Sequence, residues 1–420
     1  MKRLIPFLLL LVIAGGAAFA AGGAAASSST GTIKIGMIFP FSGGNADQGV
    51  FNRYGAELAA EKINAAGGIK ALGGRKLEIL FYDNQSSSDV SRQVAERLLA
   101  EHPDIVAASG AGSSGFVLPM LPTFEKAQVP FLSAQTSESL TGQGYKYVFI
   151  FGCQATQFAR GQIEMIQWLN DTYGVGISKI GLIYEDTEVG SVNSQATRDL
   201  LKNYPNLSIA YDQKFQPNTS DLSSIVVGLQ NAGCEVLFPT AYSQDAKLLY
   251  NTMAQYRYSP IVVGAGAGFL YPAFGTDLGD LVNGLLSTAT HNFDIKTIRS
   301  NPLYNRVGED YEAKNKEFMP EQAVSAFNAV YIISQALEKT ASTDSVKLGE
   351  AIRALTIASL APGGTLRFNN VGWNQNAVAV MVQWQKWPDG VYRPRTVFPP
   401  SEAEDGAFQL PDLLKSRVKK

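Results

Sequence analysis

From Thr32 onward the chain alternates short β-branched runs with longer amphipathic stretches, and this alternation constrains the fold more than any single motif does. Strands are expected at 32–39, 77–82, 105–108, 129–133, 179–184, 209–215, 236–240 and 261–264, and helices at 51–65, 90–101, 116–126, 157–173, 192–204, 222–232 and 245–255. Strands separated by helices of this length pair in parallel and are covered on both faces. The pattern comes in two comparable blocks, about 32–133 and 179–264, separated by Tyr147-Val148-Phe149-Ile150-Phe151 and the helix after it. The expected fold class is therefore α/β, with two Rossmann-like lobes that each carry a central parallel sheet, rather than one continuous sheet. Helices are expected next at 302–315, 322–338 and 345–354, followed by strands at 377–384 and 391–398. Pro388-Asp389-Gly390 is turn chemistry and closes these last two strands into a hairpin. The polar tail 399–420, ending in Lys415, Arg417, Lys419 and Lys420, reads as a solvated terminus in preference to a partner-binding arm.

With 420 residues, 45% of them apolar and 17% charged, the chain has the apolar mass for two or three packed domains. Its 35 basic and 37 acidic residues leave a mildly acidic body, which excludes nucleic acid as an expected partner because phosphate binding needs clustered positive charge. The sequence has only two histidines, His102 and His291, and two cysteines, Cys153 and Cys234, so zinc sites and histidine triads are nearly excluded and no cofactor is called for. Residues 1–20 open with Lys2 and Arg3, run apolar from Leu4 to Ala14 and end in Ala18-Phe19-Ala20. They read as a cleaved secretory leader rather than an anchoring helix, because the apolar stretch is short and no basic stop-transfer cluster follows. The mature chain is then expected to be periplasmic and not membrane-embedded. In an oxidising compartment Cys153 and Cys234 could pair across about eighty residues; two separately buried thiols is the preferred reading, since Cys234 directly precedes the apolar run Val236-Leu237-Phe238.

Gly110-Ala111-Gly112-Ser113-Ser114-Gly115 matches G-x-G-x-x-G between a strand and a helix, but no acid is placed for a ribose at the end of the next strand. Read physically, it is a tight turn onto a helix start, with the Ser113 and Ser114 hydroxyls able to hold a carboxylate or other acceptor; a plain helix cap is the alternative. Open α/β sheets place ligands at the carboxyl ends of their strands, which favours binding here. Equivalent strand ends carry Pro40-Phe41-Ser42-Gly43-Gly44, Ala134-Gln135-Thr136-Ser137, Tyr184-Glu185-Asp186-Thr187, Thr240-Ala241-Tyr242-Ser243 and Gly264-Ala265-Gly266-Ala267-Gly268. These loops offer hydroxyls, an amide, rings and small residues, but no Lys or Arg, a lining for a small molecule held by hydrogen bonds and ring packing. No G-x-S-x-G, H-E-x-x-H or G-x-x-x-x-G-K-[ST] motif occurs. His102 reads as a surface residue at a helix exit, and His291 as a hinge or surface residue. Glu185, Asp186 and Glu188 stand close enough for acid–base work, but a solvated loop is preferred, with pairing to a ligand cation as the further option.

Ile33-Lys34-Ile35-Gly36 leading into Pro40-Phe41-Ser42-Gly43, the stretch Gly55-Ala56-Glu57-Leu58-Ala59, Ile63-Asn64-Ala65-Ala66-Gly67-Gly68-Ile69 and the late Gly363-Gly364-Thr365-Leu366-Arg367-Phe368 follow one another in an order that resembles the leucine/isoleucine/valine-type periplasmic solute-binding proteins of ABC importers. The resemblance runs from about Thr32 to about Pro399. It implies a type I periplasmic binding fold in which the chain crosses between lobes three times and traps a ligand in the cleft. It implies lobe 1 at 31–151 and 289–356, lobe 2 at 152–288 and 357–398, and a tail at 399–420. Ligand contacts would come from Ser113 and Ser114, from Gln135 and Thr136, and from Tyr242 as the ring over the ligand, with Phe41, Ser42, Glu185 and Gly266 at the remaining rims. Three positions depart from the pattern: no acid stands near Gly266, Val189 replaces a tyrosine, and Asn369 follows Phe368 where an aspartate is common. An ammonium buried without a counter-charge is costly, so the expected guest is neutral or carboxylate-bearing, an amide or an aromatic acid, packed by Phe41, Phe116, Tyr242 and Phe269. The function implied is delivery of a small solute to a membrane permease. The alternatives are a sensor of the same fold that presents its ligand to a signalling partner and, further off, an enzyme using the cleft carboxylates.

Overall fold

The computed structural model describes residues 31–299 and 306–418. The expected leader at 1–20 lies outside them, as do residues 302–305 of an expected helix. The chain starts with β1 (Ile33–Phe39), α1 (Ala46–Ala65), β2 (Leu77–Asp83), α2 (Ser88–Glu101), β3 (Ala107–Gly110), α3 (Ser114–Val117), α4 (Leu121–Ala127), β4 (Phe131–Ser133) and β5 (Val148–Ile150). These strands form a sheet in the order β2-β1-β3-β4-β5 with every neighbouring pair parallel. The helix expected over 116–126 is broken into α3, one tighter turn and α4, because Pro119 and Pro122 lack the N–H that a continuous ladder needs.

The chain then runs through α5 (Ala155–Tyr173), β6 (Lys179–Glu185), α6 (Glu188–Leu201), β7 (Ser208–Phe215), α7 (Ser223–Asn231), β8 (Val236–Thr240), α8 (Ser243–Gln255), β9 (Ile261–Gly264), α9 (Pro272–Leu278) and β10 (Leu286–Ala289). After α10 (Lys296–Arg299) and α11 (Val307–Asn315) it returns to the first sheet with α12 (Glu321–Thr340) and α13 (Ser345–Arg353), and β11 (Thr356–Ala358) and β12 (Thr365–Arg367) make a separate ribbon. It crosses back with β13 (Val380–Lys386) and β14 (Tyr392–Phe398), and a short α14 (Asp412–Lys415) follows. The second sheet has the order β14-β13-β10-β9-β8-β6-β7, parallel except for the antiparallel β13 and β14 at its edge. The chain thus passes three times between two α/β lobes.

The return of α12 is fixed by packing. Ala56, Ala59 and Ala60 on α1 and Ala323, Ala326 and Phe327 on α12 belong to one buried cluster. At Gly55 the helices come so close that a Cβ would meet the carbonyl oxygen of Ala323 at 1.9 Å. The passages are also tied together. Ile150 and Trp373 pair side by side, with Ile150 N donating to Gly372 O and Asn374 N to Ile150 O, both at 2.8 Å, and Trp373 Nε1 to Gly152 O at 3.0 Å. Phe368 packs on Phe149 with ring centres 5.3 Å apart. By these contacts the third passage comes after Asn374, later than residue 356, where the sequence reading ends lobe 1.

The tail corrects another expectation, since it is packed and not solvated. Leu414 is fully buried, Ala403 and Ala407 are nearly so, and Phe408 stands edge-on to Trp168 at 5.0 Å. Its polar groups are satisfied inside: Gln383 Nε2 donates to Gln409 O at 2.7 Å, and Gln409 N to Gln383 Oε1 at 2.9 Å. Cys153 and Cys234 are buried free thiols in different clusters. Among the described residues no helix is long and apolar enough to cross a membrane.

Candidate ligand-binding cleft

The carboxyl ends of strands from both sheets point into one cavity, the place parallel sheets use for ligands. Gly112 follows β3, Gln135 and Thr136 follow β4, Tyr242 follows β8, Gly266 follows β9 and Thr290 follows β10; Gln48 and Asn52 reach in from α1, Phe158 from α5, Val189 from α6, and Glu321, Gln322 and Ser325 from α12. The void is about 60 Å³, well below the 300–1,000 Å³ of ordinary small-molecule sites.

Four of the expected contacts therefore come together, Gln135, Thr136, Tyr242 and Gly266, while Gly112 lines the cavity in place of the serines that follow it. Ser113 is buried and hydrogen-bonds the Tyr242 hydroxyl, joining the lobes, while burial pushes that phenol up to about 12. The Ser114 hydroxyl is fully buried and accepts from Ser137 N at 3.2 Å. It shapes the loop and does not line the cavity. Phe41 and Ser42 also turn elsewhere. The Phe41 ring packs on Phe81 with the Arg53 guanidinium 4.5 Å from its centre, and Ser42 Oγ donates to Asp83 at 2.7 Å. Phe269 is a core residue against Phe274.

Glu185 is not on a solvated loop. It is 1% exposed at the end of β6, accepts from Tyr242 N and faces Asp245, and burial with that second acid beside it pushes its carboxyl up to about 8. It thus orients the Tyr242 backbone from behind the cavity wall. Asp186 is bound to Lys214 at 2.9 Å, and Glu188 accepts from Ser137 and Ser139 of the other lobe. His291 is buried in the second passage, hydrogen-bonded to the Leu360 backbone, and burial lowers it to about 3. Its place is a crossover, as one of the sequence readings has it, and not the surface.

A family model described as periplasmic binding protein matches residues 32–386. The chain belongs to the periplasmic binding protein family. This periplasmic binding protein is 30% identical over 367 residues to the Leu/Ile/Val-binding protein homolog 7 of Brucella suis, covering 84% of this chain and 89% of that one. It is 28% identical over 363 residues to homolog 8 of Brucella abortus, covering 84% and 88%. Among solved structures it resembles the branched-chain amino acid transporter substrate-binding protein LivJ of Streptococcus pneumoniae in complex with isoleucine, at a TM-score of 0.73 and 20% identity over 87% of this chain and 100% of that one. It resembles equally the solute-binding protein of an ABC transporter from Rhodopseudomonas palustris in complex with 3,4-dihydroxybenzoic acid, at 0.73 and 17% identity over 89% and 99%. Both likenesses carry the type I fold.

What the sequence reading missed in this periplasmic binding protein is the contribution of α12. Glu321 Oε2 receives the backbone N–H and the hydroxyl of Thr290, each at 2.8 Å, and Oε1 receives Gln322 Nε2 at 3.1 Å. Burial raises its carboxyl, and these bonds oppose the rise. Among the described lining residues it is the one charged group. Nothing in Pro320-Glu321-Gln322 distinguishes it from an ordinary helix start, where acids are common.

Proposed function

We propose that this chain is the solute-binding receptor of an ABC importer, exported to the periplasm, which traps one small molecule between its lobes and hands it to a membrane permease. The observation that carries the reading is the single cavity lined from both sheets, Gln135 and Thr136 on one side and Tyr242 and Gly266 on the other. A guest bound first on one lobe gains the other lobe's contacts only on closure, so it biases the hinge toward the closed form that a permease would read. The LivJ and Leu/Ile/Val-binding relatives support an importer role. The isoleucine and 3,4-dihydroxybenzoic acid bound by those two structural relatives favour a guest with a small polar head and an apolar or aromatic body. Glu321 leaves acid–base chemistry without a second lining carboxylate, which disfavours turnover.

The test is a thermal-shift screen of the chain from residue 21 onward against amino acids, amides, aromatic acids and short diacids. A ligand that binds only the folded form adds about 2.7 kcal/mol at a hundredfold excess over its Kd. A binder recovered unchanged after incubation supports the receptor reading. A hit that is consumed, or a folded protein that responds to no class, removes it.

A further inference from the structure

The described lining of the cleft holds one carboxylate and no lysine, arginine or histidine. Glu321 takes part in no ion pair among the described residues, and its three bonds, from Thr290 N–H, Thr290 Oγ1 and Gln322 Nε2, are all to neutral donors. A carboxylate accepts about four such bonds, so with three made Glu321, which lines the cavity, keeps capacity for one more. A carboxylate withdrawn from water without a counter-charge is unfavourable, and a charged partner or a proton relieves it.

Two neighbours point the same way. Gln322 is 8% exposed and its Oε1 is buried without a partner. Its amide cannot be turned over at no cost, because its nitrogen faces the acceptor-only Glu321. Gln48 is 3% exposed, and its Nε2 is likewise buried without a partner. Both line the same cavity. Glu321 and Gln322 thus make an acceptor-only corner beside the Thr290 crossover, and Gln48 offers an unused donor.

Resting on the receptor reading above, we propose that Glu321 is the specificity-determining residue of the cleft and that the guest carries a positively charged nitrogen seated on Glu321 and Gln322 Oε1, with an acceptor group for Gln48. The counter-charge has moved from the second-lobe rim, where Gly266 stands, to the first turn of the helix that returns from the crossover. The guest's cation therefore points to the hinge. This replaces the neutral or anionic guest expected from the sequence with an ammonium-bearing one.

Matched probe pairs that differ only at the nitrogen test it by calorimetry and thermal shift on the full folded chain: L-leucine against 2-hydroxy-4-methylpentanoate, and L-phenylalanine against 3-phenyllactate, with 3,4-dihydroxybenzoate as a nitrogen-free aromatic acid. The expected result is binding of an ammonium probe, at least tenfold weaker binding of its hydroxy partner, and at least a tenfold loss for the ammonium probe in Glu321→Gln with little change for the partner. Gln322→Met, which removes the acceptor and keeps the length, is expected to give a similar selective loss and serves if Glu321→Gln does not fold. Binding of the hydroxy acids or the benzoate that is as tight as, or tighter than, that of the amines, or indifference of both variants, overturns the proposal and leaves the receptor intact. Silence of every probe overturns the proposal, and the receptor reading falls with it only if the amides and short diacids of the wider screen are silent too.

Discussion

Ser137 of the first lobe donates its hydroxyl to the Glu188 carboxylate of the second at 2.9 Å, and Ser139 adds a bond to the same oxygen at 2.7 Å. Two charge-assisted hydrogen bonds clasp the lobes without passing through the cavity. Water replaces them when the lobes part, so their net value is about 1–2 kcal/mol. Glu188→Ala is expected to raise the open-to-closed ratio by about five- to thirtyfold. This would be read as a larger radius of gyration in small-angle scattering without a change in denaturation midpoint. An unaltered scattering curve rejects the clasp.

Glu185 predicts how stability follows pH. Its carboxyl is raised to about 8 in the fold against about 4.3 in an unfolded chain, so between those values the folded state holds the extra proton. Stability is therefore highest at the acid end of this window, falls as pH rises through it, and levels off above about 8. Asp245, also raised, shares the titration. Glu185→Gln should flatten the slope, measured as urea midpoints at pH 5 and pH 9. A variant with the slope of the parent excludes Glu185 as its source.

Gly55→Ala puts a methyl where α12 already stands, with Ala323 O at 1.9 Å and its carbonyl carbon at 2.6 Å from the new Cβ. Backbone cannot yield as a side-chain tip does, so α1 and α12 must separate, at about 1–3 kcal/mol. Because α12 carries Glu321 and Gln322, loss of stability and loss of ligand affinity are expected together. Calorimetric unfolding with and without the best ligand checks both. Full affinity in the variant would uncouple them.

Leu414→Ala measures the tail. The side chain is fully buried among Trp168, Phe408 and their neighbours, and a Leu-to-Ala change in such a site costs about 2–5 kcal/mol. Chemical denaturation reads it; a cost below about 0.5 kcal/mol would return the tail to solvent.

The βα alternation made both sheets legible, because strands of four to eight residues with long helices between them leave few other arrangements. Strand ends also led to Gln135, Thr136, Tyr242 and Gly266, which the structure gathers around one cavity, since the carboxyl edge is where parallel sheets converge. Three kinds of feature stayed hidden. β5 and β11 have three residues each, too short for a period. Gln383 and Gln385 are polar by composition and yet interior, since each meets another amide or a backbone group. Glu321 enters the cavity only because α12 is carried back onto α1 from more than 250 residues away, and no local pattern encodes that distance. The serine pair was half legible: its loop reaches the cleft at Gly112, but the hydroxyls turn to Tyr242 and to Ser137 N.

The lacing of Ile150 and Gly152 to Gly372, Trp373 and Asn374 bears on how the molecule moves. Two strips bonded edge to edge behave as a leaf spring, compliant across the thin face and stiff against sliding or splaying. Gly152 leaves no slack, since a Cβ there would strike Ala134 O at 2.0 Å. An edge bonded in this way resists sliding more than bending, so any swing of the halves is expected to keep Tyr242 in register with Ser113.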